Sequence, residues 1–294
     1  MPSFQPQDYV QLFVSGLSTG AIYVLIALGL ITIYNVTGVI NLAQGEFVML
    51  GAMLAVALVR LHLPLALSAL GAVLAVALLG GLVHRLTILP ARQAPDVALI
   101  IITIGTAIAI RGAALFIWGT MPRSLPEFSP GAPIAVWGAV LSRQRVWIMG
   151  TAAAVLLLLY LFFEHTLLGK AVRACSINRQ AAELIGVDAR VMGTLAYALG
   201  AALSAIGGIV IAPLTLVSYD MGLMLGLKGF VVAIMGSLTR APAAVIGGLL
   251  LGVLEAFISG LWASGFKDGI AFLVLFVLLL VRTVPWQDLW RRPA

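Results

Sequence analysis

Charge is what this sequence has least of. Only 10% of its 294 residues are Asp, Glu, Lys or Arg, while 62% are hydrophobic. A soluble domain carries roughly 25% charged and about 45–50% apolar residues, so a water-soluble enzyme or nucleic-acid-binding fold is excluded. Cysteine is almost absent as well. The single Cys175 cannot close an internal disulfide and stands in no metal-ligand spacing. His62, His84 and His165 are scattered, with no pair at ligand spacing, so no metal site is expected. The opening MPSFQPQDYVQ contains neither Lys nor Arg. It therefore does not form the basic region of a signal peptide, and the first apolar segment is expected to stay in the mature protein. Alternating strands of barrel length are also missing.

What the chain does have is long apolar runs, at 66–83, 97–110, 146–163, 194–212 and 269–281. A helix needs about 20 residues to cross a bilayer core of about 30 Å, and several runs reach that length once flanking Gly, Ser and Thr are included. The expected fold is an all-α, polytopic transmembrane helix bundle of about eight to nine spans. They fall at 11–33, 38–59, 64–84, 97–118, 146–164, 191–212, 222–238, 242–262 and 268–283. The longest polar interruptions, 119–145 and 165–190, leave no room for a soluble domain, so residues 1–294 read as one transmembrane domain.

The net charge of +6 fits basic loops on the cytoplasmic side better than a nucleic-acid partner. Basic residues occupy 85–96 (Arg85, Arg92), 165–190 (Lys170, Arg173, Arg179, Arg190), 239–241 (Arg240) and the tail (Arg282, Arg291, Arg292). Alternation puts all four inside if the N-terminus faces out and the C-terminus in. The exception is 119–145, with Arg123, Arg143 and Arg145. Its Pro122, Pro126, Pro130, Gly131 and Pro133 make it an ordered external cap. Gly16/Gly20, Gly222/Gly226 and Gly248/Gly252 have the spacing that lets helix backbones approach closely, either inside the bundle or at a subunit interface.

Within the polar segment 165–190, SINRQAAELIGVD spells a short helix. Asn178 is a good N-cap, residues 179–185 are mostly helix formers, and Gly186 supplies a left-handed terminating position. Two turns are not stable alone in water. Ala181, Leu184 and Ile185 share a small apolar face flanked by Arg179 and Glu183. That suits insertion into a groove on another protein, against the plainer reading of a surface loop with an incidental turn.

QAAELIG (180–186) is similar to the core of the cytoplasmic loop in importer-type ABC permeases, with Gln180 where that pattern has Glu and without its common Leu-Pro. GVINLAQGEFVMLGA (38–52) resembles the second-helix signature of branched-chain amino acid ABC permeases. LKGFVVAIMGSLTRAPAAVIGGLLLGVLEAF (227–257) resembles their late-helix block, with Met235-Gly236 where Gly-Gly is usual. The three stretches occur in the right order over essentially the whole chain. The resemblance implies a coupling helix, formed by Asn178, Arg179, Gln180, Ala181, Ala182, Glu183, Leu184 and Gly186, that docks on an ATP-hydrolysing subunit. It also implies two such ATP-binding subunits, a second homologous permease in a heterodimer, and a periplasmic solute-binding protein, all serving a multi-pass protein of the bacterial inner membrane. The implied cargo is branched-chain or related amino acids, moved by alternating access. Urea, short amides or aromatic acids on the same architecture remain alternatives, as does, more remotely, an ion-coupled transporter.

Hydrolysis of ATP by this chain is not expected. The P-loop needs Gly-x-x-x-x-Gly-Lys-Ser/Thr, whereas Gly169-Lys170 is followed by Ala171 and preceded, at the first Gly position, by Glu164. No catalytic constellation and no cofactor can be argued from the spacing. The polar residues inside spans are few. Glu46, with Asn41, Gln44 and Gly45 within about one turn, either borders a translocation path or is a buried carboxylate pairing with a neighbouring helix; an intramembrane charge costs roughly 2.5–3.5 kcal/mol on insertion scales. Thr103 and Thr106 either line the path or bond back to their own helix. Glu255 reads as a structural hydrogen-bonding group. Arg111 either snorkels to the outer interface or pairs with an acid. Asp220 and Lys228 bracket the start of the seventh span, where an external vestibule is expected, with Asp220 and Tyr219 open to solvent or to a docking protein.

Overall fold

The apolar runs become helices, several of which carry glycines in their interior, as the one over Ala189–Ile211 does at Gly200, Gly207 and Gly208. The computed structural model describes residues 5–136, 139–261, 269, 271–274, 276–277 and 280; the expected last span, 268–283, and the basic tail fall largely outside these. In chain order the helices are α1 (Pro6–Thr37), α2 (Gln44–Arg60), α3 (Leu65–Val83), continued by a π-helical turn (His84–Ile88), and α4 (Asp96–Trp118). A hairpin of β1 (Ile134–Val136) and β2 (Ala139–Leu141) follows. Then come α5 (Arg143–His165), α6 (Leu167–Ile177), α7 (Arg179–Leu184), α8 (Ala189–Ile211), α9 (Met221–Met235) and α10 (Ala241–Leu261).

Among the described residues six helices are long and apolar enough to cross a membrane: α1, α3 with its π turn, α4, α5, α8 and α10. The expected spans 38–59 and 222–238 are shorter helices, α2 with 17 residues and α9 with 15. The reasons are local. Gly38, at φ 72°, ends α1 in the left-handed conformation, its N–H bonded to the Tyr34 carbonyl, and the chain does not become helical again until Gln44. At the other site Ser237 and Leu238 take φ 59° and 60°, closing a tight turn between α9 and α10.

α1 and α8 make the centre of the bundle. α10 and α9 pack along α1, and α2 and α3 along α8. Tyr23, Leu25, Ile26 and Tyr197 are fully buried there. Small residues set the spacing: a Cβ at Gly20 would lie 2.6 Å from the Gly248 carbonyl oxygen, and one at Gly16 would lie 2.8 Å from that of Gly252. Two of the glycine pairs thus mesh with each other within the chain, while Gly222 and Gly226 both close on Gly45 of α2. The outer helices show the opposite character. Leu67, Leu70, Leu74 and Leu78 form an exposed row along α3, and Phe116 and Leu158 stand out from α4 and α5. A water-facing protein rarely carries apolar surface on that scale; lipid tails are its natural solvent.

The segment between α4 and α5 is ordered, as its proline content suggests. The backbones of Arg123 and Val217 exchange hydrogen bonds, and Val140 donates its N–H to Gln11 Oε1 on α1. Buried Gln144 accepts from the Phe128 N–H and donates to the Val210 carbonyl, joining this cap to α8.

Candidate functional site

Residues 38–43 run back into the bundle. Gln44 lies level with Gly29, about two turns before the end of α1, and its Nε2 donates to the Gly200 carbonyl (2.9 Å) and to Ser204 Oγ (2.7 Å) on α8. Part of the expected span is therefore non-helical chain. Such backbone is tolerated at membrane depth only when protein satisfies its polar groups, and side chains do so here. Asn41 Oδ1 accepts from the Ala43 N–H, Asn41 Nδ2 donates to Gln44 Oε1, and Thr103 Oγ1 on α4 accepts from the Leu42 N–H. Asn41, Gln44 and Thr103 are all buried. They hold the non-helical stretch in place and let α2 begin inside the bundle, with its positive N-terminal end turned inward.

Glu46, in the first turn of α2, is buried and forms an ion pair with Arg111 of α4. Of the two fates considered for Arg111, the structure has it meet an acid. One carboxylate oxygen, Oε2, is buried without a hydrogen bond. A cavity of about 220 Å³ adjoins the pair, lined by Asn41, Gln44, Glu46, Arg111, Gly226 and Phe230 among others. Thr106 does not reach it: its hydroxyl donates to the Ile102 carbonyl of its own helix, and Thr103 likewise back-bonds to Ile100.

The second buried charge pair adds to an expectation. Lys228 lines a cavity of about 340 Å³ with Ser18, Tyr23, Arg145 and Thr215. It lies buried within α9, bonded to Glu255 of α10, which also accepts from the Tyr23 hydroxyl of α1. Glu255 is thus the structural group expected of it. The Lys228 pairing escaped notice in the sequence, although two opposite charges in neighbouring apolar helices were a usable signal. Asp220 is exposed and accepts from the Ser218 hydroxyl.

The 165–190 segment holds more structure than its short motif announces. Thr166 caps α6 by accepting from the Gly169 N–H, a helix the sequence reading missed. Asn178 caps α7, accepting from the Ala181 N–H at 3.0 Å, and Gly186 takes φ 89° beyond its end. Arg179 pairs with Glu183 one turn on. The inward residue is Ala182, 2% exposed, packed with Val172, Cys175, Ala189 and Met192. Burial there pushes the Cys175 thiol above its ordinary pKa. Gln180 and Ala181 face outward, and Leu184 and Ile185 are 89% and 77% exposed. The apolar face expected of Ala181, Leu184 and Ile185 is therefore turned away from the bundle, with Ala182 in its place against α6 and α8.

The chain matches the family model described as branched-chain amino acid transport system / permease component over residues 12–281. It is 30% identical to the high-affinity branched-chain amino acid transport system permease protein BraD of Pseudomonas aeruginosa, over 93% of this chain and 94% of that protein. It is 29% identical to the permease protein LivH of Salmonella typhimurium and 28% identical to LivH of Escherichia coli, in each case over 93% of both chains. With its helical bundle and lipid-facing surface, the chain belongs to the branched-chain amino acid transport system permease component family.

Proposed function

We propose that this chain is the membrane-spanning subunit of an ATP-driven importer in the bacterial inner membrane, carrying branched-chain or related hydrophobic amino acids. The observation that carries the reading is the α6–α7 unit. α7 is anchored by one small residue, capped at both ends, and presents Leu184 and Ile185 outward. An exposed apolar pair on a rigid short helix suits a groove on a partner, here one of two ATP-binding subunits. Asn178, Arg179, Gln180, Ala181, Ala182, Glu183, Leu184 and Gly186 form this handle. The basic loops support a cytoplasmic location for it and an outward N-terminus.

The translocation path runs beside the interrupted span. Asn41, Gln44 and Glu46 supply polar atoms inside the bundle, with Thr103 holding the backbone that carries them. A second, homologous permease completes the path, and a periplasmic binding protein delivers the cargo to the opposite end. Closure of the ATP-binding subunits moves α7, and α6 transmits that motion to α1 and α8. This chain supplies no ATP chemistry; the partners do.

The test compares ATPase activity and uptake by the full complex, wild type against Gly186→Pro, with and without cargo-loaded binding protein. Proline cannot adopt φ 89°. The expected result is loss of stimulated ATPase activity and uptake in a complex that still assembles. Unchanged stimulation would show that α7 is an ordinary loop helix and would sink the importer mechanism.

A further inference from the structure

A cavity of about 760 Å³ lies between α1, α5, α6 and α10, away from Glu46. Its floor is α1, through Leu28 and Ile31, and its sides are Leu156 and Leu159 of α5 and Val245 of α10. At the end that carries α7 the lining changes character. There stand Arg173 of α6, Glu164 of α5 and Arg240 of the α9–α10 turn, a net positive set, with Asn35 and Ser176 beside them. Asn35 Nδ2 donates to the Thr239 carbonyl, tying the floor to that turn. Arg240 is exposed and makes no ion pair among the described residues. Arg173 is 53% exposed and meets Glu164 through one nitrogen at 2.7 Å, leaving the rest of its guanidinium open.

The shape is an oily slot with a cationic mouth. From Leu28 to Asn35 it runs about 10 Å along α1, at 1.5 Å per residue, about two thirds of the depth of one leaflet's hydrocarbon. A free inorganic anion would use the mouth and leave the slot empty. An α-helix of a partner, about 10–12 Å across with its side chains, would fill the slot but leave Arg240 without a counter-charge. A molecule with an acyl chain and a phosphate uses both. We propose that this cleft binds an anionic phospholipid, one acyl chain lying along Leu28, Ile31, Leu159 and Val245, and its phosphate held by Arg173 and Arg240. Arginine forks bind phosphate well, and basic pockets between membrane helices are known acidic-lipid sites. Because α6 forms one wall, the bound lipid wedges α6 against α1 and α10 and fixes the base from which α7 projects. The lipid site itself does not depend on the transport reading; only its consequence for α7 does.

The experiment is native mass spectrometry of the full-chain transporter complex, stripped of lipid in detergent. Phosphatidylglycerol and phosphatidylcholine with the same acyl chains are then titrated back. Both lipids carry the phosphate, but the choline cation of phosphatidylcholine cancels its charge and is repelled by Arg173 and Arg240, so wild type is expected to prefer phosphatidylglycerol by about tenfold. Arg173→Gln with Arg240→Gln should erase that preference, Arg173→Lys with Arg240→Lys should restore most of it, and Val245→Trp should weaken both lipids by filling the slot. A phosphatidylglycerol preference in the double Gln variant as large as that of wild type would overturn the proposal. So would full displacement by glycerol phosphate, which has the headgroup chemistry without the chain, or a crosslink from the Val245→Cys variant to another polypeptide. Stimulated ATPase activity, measured on the same samples, separates lipid binding from its effect on α7.

Discussion

Lys228 on α9 and Glu255 on α10 form a buried ion pair, Nζ to Oε1 3.0 Å, and the Tyr23 hydroxyl of α1 donates to the other carboxylate oxygen at 2.7 Å. Three helices are thereby joined at one point inside the bundle. Removing one member leaves the other charge buried without its counter-ion, at a cost of about 3–5 kcal/mol. Glu255→Gln should therefore lower the thermal midpoint of the detergent-solubilised protein sharply. Replacing both charges, Lys228→Met with Glu255→Leu, should recover much of that loss. A double variant as unstable as the single one would show that the pair itself, and not relief from an orphaned charge, holds the helices together.

Glu46 and Arg111 allow the two readings of Glu46 to be separated. Glu46→Gln keeps an acceptor for Arg111 and removes the charge. If Glu46 borders the path, uptake by the reconstituted complex falls at least about tenfold, equivalent to about 1.4 kcal/mol of barrier, while the thermal midpoint moves little. If it is a packing carboxylate, the midpoint drops and uptake per folded molecule holds. Arg111→Met should destabilise in either case, because it strands the buried carboxylate.

Gly20 lies where α1 and α10 touch backbone to backbone. A side chain there would meet the Gly248 carbonyl at 2.6 Å, and no flexible group can yield. Gly20→Val should abolish the monodisperse peak on size exclusion. At Gly150 of α5 a Cβ would meet no neighbouring atom within 4 Å, so Gly150→Ala should be neutral or slightly stabilising, by up to about 1 kcal/mol of helix propensity.

Cys175 reports on whether α6 and α7 stay packed. It is buried, and burial raises its pKa. Below the ordinary thiol pKa of about 8.5 both folded and unfolded chains keep the proton. Above it the unfolded chain ionises first, so the contribution of Cys175 to stability declines as pH rises. Maleimide labelling of the folded protein at neutral pH should be slow and become rapid after denaturation. Rapid labelling of the folded protein would mean that the α6–α7 unit opens readily.

Much was legible in the sequence because it is written in neighbouring residues. The apolar runs specified helices and a lipid solvent, Asn178 and Gly186 marked the two ends of α7, and the glycine spacings on α1 and α10 announced close helix contact. Each depends on chemistry within a turn or two. The tertiary structure alone decided the partners. Glu46 meets Arg111 from 65 positions away, and Lys228 meets Glu255 across a turn that places α9 beside α10. It also decided that 38–43 stays non-helical, because the bonds replacing a helical ladder there come partly from Thr103 and hold only once α4 is in place. The outward turn of Leu184 and Ile185 has the same origin. A two-turn helix has no preferred inner face of its own, and the fit of Ala182 against α6 and α8 selects one.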